Sequence, residues 1–172
     1  MTVARATEPP AAWGALVLPV GGDLPDLNVW LALVVAEHPH HGAARQYWDD
    51  TRPAPAVFGP HVWFCRSTML GLVRLLSQPK VVGDAALALC DAHAIYRQLR
   101  QTSGVGFVPD TEVADAPLDE RLALKPGLPA SLWADAWLAA TADAAGLRLV
   151  SFDADFERLA PACDNPMGIC AC

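Results

Sequence analysis

Short apolar segments alternate with helix-forming segments along this chain, and that alternation limits the folds open to it. Three runs have the length and bulk of strands, at 61–66, 104–108 and 147–152. Segments with helical periodicity separate each run from the next. Strands that alternate with helices form a mainly parallel sheet, because each connection crosses over one face of it. We therefore expect an α/β domain with three layers, α/β/α.

Start and stop signals delimit the helices. The segments with helical patterns are, in chain order, 29–35, 39–50, 69–76, 84–102, 131–145 and 154–159. Ser67 or Thr68, Asp84 and Ser131 are the residue types that begin helices, and we expect them to be N-caps. The stretch 110–129 holds five acids and three prolines. It predicts a loop or a short irregular helix.

Length and composition favour one compact domain. Of the 172 residues, we expect the Pro- and Ala-rich stretch 1–22 to be a flexible extension, 23–172 to be the domain, and its tail 161–172 to be irregular. A hydrophobic fraction of 53% excludes a disordered chain, and no apolar run is long enough for a membrane helix. The first residues lack the apolar core of a signal peptide, and the five cysteines lack the paired framework of a secreted domain. A reducing cytoplasm is the expected location.

The net charge of −7 argues against tight unaided binding of RNA, because affinity for phosphate comes mainly from clustered Lys and Arg. The chain has twelve such residues, of which Arg66, Arg74 and Lys80 could still make a local basic rim. An acidic site can still reach phosphate through divalent cations. The charge is thus compatible with a metal-dependent nuclease.

Three aspartates carry the chemistry that the sequence suggests. Asp26 and Asp153 are expected beyond the carboxyl ends of strands, where parallel sheets bind ligands. Asp135 is expected in the middle of a helix, on one stripe with Leu132 and Leu138. Mutually repelling acids in an apolar setting make sense around a hard cation, and Mg²⁺ takes one or two carboxylates plus waters. Such an ion can support phosphodiester hydrolysis without a His or Ser nucleophile.

Each aspartate also has a purely structural interpretation. Asp26 could cap the next helix, Asp153 could begin a turn, and Asp135 could simply face solvent. Three other groups of side chains could suggest a metal or base-stacking role, but a structural interpretation is favoured for each. The solvated entrance of a helix accounts for His38, His40 and His41, a frayed terminus for Cys163, Cys170 and Cys172, and the apolar core for Trp30, Trp63 and Trp137.

Five segments together resemble PIN domains, and in particular the VapC-type branch. The first, 24–33, contains a D-x-N signature after an opening strand, and 132–140 contains D-A-x-L-A-A. The segment 149–156 is similar to a final T-x-D-x-D-F motif, with Ser in place of Thr. The middle strand and helix at 64–79 and the short stretch 37–41 also resemble that branch. The resemblance covers most of the chain, in the right order and spacing.

The resemblance implies a function and a set of site residues. Asp26 and Asp135 would be ligands of Mg²⁺ or Mn²⁺, Asp153 would complete the acidic cluster, and Asn28 and Thr68 would be supporting polar residues. The implied activity is endonucleolytic cleavage of RNA by the toxin of a toxin–antitoxin pair. A small VapB-type antitoxin would occupy its groove and active site, and a homodimer is expected because dimers are common in this family.

The sequence departs from the family at one position. Many PIN domains place a Glu in the middle helix where Gly71 aligns, so a fourth carboxylate is missing. We expect Gly71 to face the acids and leave a gap for water. Asp155 could substitute in part, although a helix-start acid favoured by the dipole is its simpler interpretation.

Two alternatives remain open at this point. The first is a catalytically degenerate PIN domain that acts as a binding module. The second is a phosphatase-like hydrolase with Asp26 as nucleophile, which the D-L-N segment disfavours because a nearby D-x-D is absent.

Overall fold

The computed structural model describes residues 21–51, 59–159 and 170–171. In this part of the chain five strands form one sheet: β1 Asp23–Pro25, β2 Val62–Phe64, β3 Val105–Phe107, β4 Arg148–Ser151 and β5 Cys170–Ala171. Their order across the sheet is β3-β2-β1-β4-β5. The first four strands pair in parallel, and β5 pairs antiparallel with β4. The predicted mainly parallel sheet is confirmed.

Helices connect the parallel strands, as crossover connections require. The α-helices of the described residues are α1 Leu27–Val34, α2 His41–Thr51, α3 Arg66–Leu76, α4 Pro79–Val82, α5 Leu89–Gln101, α6 Asp115–Leu124 and α7 Trp133–Ala144. Short 3₁₀ turns lie at Gly83–Ala85, Glu112–Ala114, Ala130–Leu132 and Ala154–Arg158.

Two apolar clusters give the domain its three layers. Consecutive residues of β2 point to opposite faces of the sheet, so Phe64 belongs to one cluster and Trp63 packs against the other. Trp30 of α1 is 1% exposed and stacks on Phe64, with ring centroids 3.7 Å apart. Trp137 of α7 is half-buried against the opposite cluster. The predicted core position is confirmed for Trp30, whereas Trp63 and Trp137 are partly buried and pack against the core.

Glycine has a packing role within the sheet at one position. Gly106 of β3 pairs with Trp63 of β2 in the parallel register. A Cβ atom at residue 106 would overlap the Trp63 indole. Only a residue without a side chain lets that indole lie across the strand pair.

Three predicted helix starts are wrong. Asp84 lies in a 3₁₀ turn, and α5 begins five residues later at Leu89, because the backbone is extended at Ala86 and Ala88 between them. Thr68 is the third residue of α3, whose N-cap is Cys65. Ser131 lies in the 3₁₀ turn before α7.

The acidic, Pro-rich stretch 110–129 contains a regular helix that the sequence pattern underestimated. α6 accommodates Pro117 in its first turn, where a missing N–H leaves no intrahelical bond unmade. Arg121 is 8% exposed and forms an ion pair with Asp143 of α7. That pair joins α6 to α7 over the sheet.

Several predictions fall on residues outside the described part of the chain. They concern most of the extension 1–22, the linker at 52–58, and the Cys-containing tail, of which only the backbone of 170–171 is described, as strand β5. No helix within the described ranges is both long enough and apolar enough to span a bilayer.

Candidate active site

Acidic side chains lie near one another at the carboxyl edge of the sheet. Asp26 follows β1 directly and Asp153 follows β4, and these two strands are neighbours in parallel register. Asp135 belongs to the first turn of α7. The charges of Asp135 and Asp153 both raise the pKa of Asp26, so the three carboxylates lie within one another's electrostatic reach.

Asp26 is the most buried of the three, at 9% exposed. It is the N-cap of α1, because one carboxylate oxygen accepts a hydrogen bond of 2.6 Å from the Leu27 amide. The other oxygen accepts a bond of 3.0 Å from the Ser151 hydroxyl. Burial raises the pKa of Asp26 to about 6, although both hydrogen bonds oppose the rise. The capping interpretation is therefore correct, and burial destabilises the ionised form of this carboxylate.

Ser151, which the sequence analysis did not single out, links the polar residues of this edge. Its hydroxyl donates to Asp26 and accepts hydrogen bonds from the Asn28 side-chain amide at 2.9 Å and the Asp153 backbone amide at 3.0 Å. The Asn28 side-chain oxygen accepts from the Phe152 amide at 3.3 Å. The sequence signal that could have identified Ser151 is a hydroxyl residue two positions before the aspartate that follows a strand.

Asp135 lies nearer to a helix start than predicted. The 3₁₀ turn before α7 shifts the helix start to Trp133, which makes Asp135 its third residue. A carboxylate there is favoured by the positive end of the helix dipole. Its side chain is half-buried, and burial followed by the charges of Asp153 and Asp155 raises its pKa.

Asp153 and Asp155 form a turn at the end of β4. Asp153 is exposed, and its Oδ1 accepts a hydrogen bond of 2.8 Å from the Asp155 amide, which caps the 3₁₀ turn that follows. The turn interpretation of Asp153 is thus correct. Because the charge of Asp155 raises the pKa of Asp135, Asp155 also lies beside the cluster.

Thr68 is buried at 2% exposed, and its hydroxyl bonds to Cys65. It donates to the Cys65 carbonyl and accepts from the Cys65 amide, both at 3.1 Å. These bonds fix the chain where β2 passes into α3. Within the described residues its hydroxyl makes no hydrogen bond to an acid, so its position supports the backbone of the edge.

The space beside Gly71 is filled, contrary to our expectation of a gap. A Cβ atom at residue 71 would lie 2.6 Å from Cδ2 of Leu27, the residue next to Asp26. The middle helix therefore does approach the acidic edge. An apolar side chain occupies the place expected for water.

The predicted histidine group at the entrance to α2 has specific contacts. The His40 ring is exposed and stacks on Phe152, with centroids 4.7 Å apart, and a ring nitrogen of His41 lies 2.7 Å from the Ala32 carbonyl. Burial, followed by the charges of His40 and His41, lowers the pKa of His38. The three histidines therefore form the entrance to α2, with the His40 ring stacked on Phe152.

The donor set fits a hard divalent cation that keeps part of its water shell. Within the described ranges no Lys, Arg or His pairs with Asp26, Asp135 or Asp153. Nor do three or more His, Cys, Asp or Glu side chains there converge closely enough to hold a metal ion between them. Mg²⁺ is usually held by one or two carboxylates and keeps several waters. These aspartates therefore suit Mg²⁺ better than a metal whose ligands all come from the protein.

Comparison with known proteins identifies one family and two similar relatives. The PIN domain family matches residues 24–161. Ribonuclease VapC41 of Mycobacterium tuberculosis is 35% identical over 139 residues, which cover 77% of this chain and 90% of that protein. Ribonuclease VapC38 of the same organism is 34% identical over 137 residues, which cover 78% of this chain and 87% of its own length.

Solved structures share the fold. The sarcin–ricin loop-cleaving toxin VapC20 of Mycobacterium tuberculosis aligns with a TM-score of 0.58 at 21% identity, covering 84% of this chain and all of that one. DNA-bound VapBC from Salmonella typhimurium aligns with a TM-score of 0.55 at 18% identity, covering 80% of this chain and 92% of that one.

Proposed function

Because this chain belongs to the PIN domain family, we propose that it is a divalent-metal-dependent endoribonuclease whose catalytic carboxylates are Asp26, Asp135 and Asp153. One observation carries the proposal. Asp26 is nearly buried, its pKa is raised to about 6, and the charges that act on it are two further carboxylates. A buried anion in such a field is costly unless a cation compensates it.

Asp26 and Asp135 would hold Mg²⁺ or Mn²⁺, with Asp153 and Asp155 adding negative charge beside them. When bound, such an ion polarises a phosphodiester oxygen and lowers the pKa of water. The relatives VapC41 and VapC38 are named ribonucleases, which supports the proposed cleavage of RNA.

The protein's own groups orient the carboxylates. The Leu27 amide holds one oxygen of Asp26, and the Ser151 hydroxyl holds the other. Asn28 anchors both Ser151 and the Phe152 amide, which fixes the approach of Asp153. Hydrogen bonds to a carboxylate favour its ionised form, so this network keeps Asp26 available as an anion near neutral pH.

The biological role that we propose is that of a toxin in a bacterial toxin–antitoxin pair. Its substrate would be RNA in the cytoplasm, its inhibitor a VapB-type antitoxin, and its quaternary state a homodimer. The support is the sequence identity to VapC ribonucleases and the fold shared with DNA-bound VapBC.

A binding module without turnover is the second candidate. The observation in its favour is Leu27, which fills the space beside Gly71, where the resemblance implies a fourth carboxylate. Metal-dependent cleavage distinguishes the two candidates.

The experiment is cleavage of a mixed RNA pool with Mg²⁺ or Mn²⁺ by the wild type, Asp26→Asn, Asp135→Asn and an EDTA control. Of these four samples, we expect only the wild type without EDTA to cleave. Asp119→Asn, which changes an exposed acid of α6, is the matched control and should cleave normally. Cleavage that survives the substitutions and the chelator would contradict the metal site. Failure of the wild type on every RNA would favour the binding module.

A further inference from the structure

Arg66 lies at the same edge of the sheet as the acids but carries the opposite charge. It is the first residue of α3, two positions after the end of β2, and β2 lies next to β1. Because parallel strands end at one edge, Arg66 and Asp26 emerge side by side. Its side chain is 53% exposed.

The Arg66 guanidinium is oriented by an aromatic ring. Its central carbon lies 5.2 Å from the ring centroid of Phe107, the last residue of β3. Arg100 lies 5.6 Å from the same centroid and donates a 2.7 Å hydrogen bond to the Val105 carbonyl. A cation above an aromatic face is held without losing its hydrogen-bond donors. Two guanidinium groups therefore lie over one ring, that of the last residue of β3.

Arg66 also has a weak acidic partner. Its Nε lies 3.7 Å from Oδ2 of Asp110, whose side chain is 58% exposed. A long ion pair between exposed groups contributes little, roughly 0–1 kcal/mol. A phosphate can therefore replace Asp110 at low cost, and the planar fork of a guanidinium matches phosphate with two hydrogen bonds.

We propose that Arg66 binds a phosphate of the RNA that flanks the cleaved position, and that Asp110 competes with that phosphate. The identity of the ligand rests on the proposed function. An RNA strand that approaches Asp26, Asp135 and Asp153 meets repulsion, and a guanidinium on the adjacent strand end offsets it. Arg66 thus sets the affinity and the position of the strand and takes no part in bond cleavage.

Arg74 supplies a matched control on the same helix. It lies eight residues after Arg66, near the end of α3, and is also exposed. Eight residues correspond to a rise of about 12 Å along a helix. Removing either arginine changes the net charge equally, so only a local contact distinguishes the two variants.

The experiment measures binding of a labelled, mixed-sequence single-stranded RNA by fluorescence anisotropy in EDTA, at several NaCl concentrations. Arg66→Ala should weaken binding about threefold to tenfold and reduce the slope of log K against log salt by about 0.7, the value for one phosphate contact with a single strand. Arg66→Lys should keep most of the slope, and Arg74→Ala should leave it unchanged. Asp110→Asn should tighten binding about threefold, a gain that misfolding cannot produce.

Equal losses in Arg66→Ala and Arg74→Ala would overturn the inference, as would weaker binding by Asp110→Asn or no measurable binding by the wild type. The cleavage assay separates this result from the fate of the proposed function. Binding that depends on Arg66 in a chain that never cleaves RNA would refute the function and support the contact. Normal cleavage by Arg66→Ala, with unchanged KM, would refute the contact alone.

Discussion

Two buried aspartates flank the same strand, and their surroundings are opposite. Asp23 begins β1 and is 4% exposed, while Asp26 follows its end and is 9% exposed. Asp23 receives two hydrogen bonds of 2.7 Å from the Arg148 guanidinium and one of 3.0 Å from the Tyr47 hydroxyl. Within the described residues Asp26 accepts hydrogen bonds only from the Leu27 amide and the Ser151 hydroxyl.

The difference separates a structural carboxylate from one suited to bind a cation. The hydrogen bond to Asp23 raises the pKa of Arg148. Burial, followed by the charge of Asp23, raises the pKa of Tyr47. At the amino edge the charge of Asp23 is therefore compensated by groups of the protein itself. At the carboxyl edge burial raises the pKa of Asp26, and the charges of Asp135 and Asp153 add to the rise. Burial alone would not distinguish the two residues; their partners do.

The largest expected effect concerns cleavage. Asp26→Asn should reduce metal-dependent RNA cleavage by about 1,000-fold, or roughly 4 kcal/mol in activation free energy, because the charge that would hold the cation is gone. Asp23→Asn should cleave RNA at a wild-type rate at temperatures where it remains folded. Initial rates on one RNA measure both. Comparable losses in the two variants would abolish the distinction between the edges.

The stability of the fold should depend more on the partners of Asp23 than on those of Asp26. Arg148→Ala leaves the Asp23 carboxylate buried without its cation, and we expect a loss of about 2–3 kcal/mol in the free energy of unfolding, at the lower end for broken buried pairs because Arg148 is half-exposed. Urea denaturation measures it, with Arg97→Ala, an exposed residue of α5, as control. A loss no larger than that of the control would mean that the Asp23 pair does not stabilise the fold.

The pH dependence of stability should come from Asp26. Its folded-state pKa of about 6 lies above the ordinary value of 3.8, so the folded protein binds this proton more tightly than the unfolded chain. The free energy of unfolding of the metal-free protein should therefore fall as pH rises from about 4 through about 6, on the order of 2 kcal/mol. Asp26→Asn should lack that fall. A difference between the two proteins that is the same at acidic and at neutral pH would contradict the expectation.

A smaller effect is expected at Ser151. Ser151→Ala removes the hydroxyl that donates to Asp26 and accepts from Asn28 and the Asp153 amide, and should cost about 1–2 kcal/mol in stability. It should also raise the pKa of Asp26 further, which moves the pH-dependent fall upward. Ser151→Thr keeps the hydroxyl and should restore both properties. An unchanged pH profile in Ser151→Ala would show that this hydrogen bond does not tune the acid.

Much of the carboxyl edge followed from the sequence because strand ends are local features. An apolar run that stops at an aspartate predicted the place of Asp153, and the resemblance to an opening PIN strand predicted that of Asp26. The alternation of strands and helices predicted that both lie at one edge of the sheet. The position of Asp135 in its helix was wrong, since a 3₁₀ turn shifted the helix start. No local pattern announces such a turn.

Contacts between distant segments were beyond the sequence. Leu27 fills the space beside Gly71 because α1 and α3 pack side by side, which depends on the sheet order. The pairing of Asp23 with Arg148 spans 125 residues and arises from the register of β1 and β4. Periodicity identifies which face of an element is apolar, but tertiary packing decides what meets it.

Metal binding tests the central claim most directly. Free Mn²⁺ can be counted by electron paramagnetic resonance during titration of the metal-free protein near neutral pH, without RNA. The wild type should bind Mn²⁺, Asp26→Asn and Asp135→Asn should bind it at least about tenfold more weakly, since each removes a ligand charge, and Arg148→Ala should bind it normally where folded. Equal binding by the wild type and both aspartate variants, or none by the wild type, would contradict a cation site at the carboxyl edge.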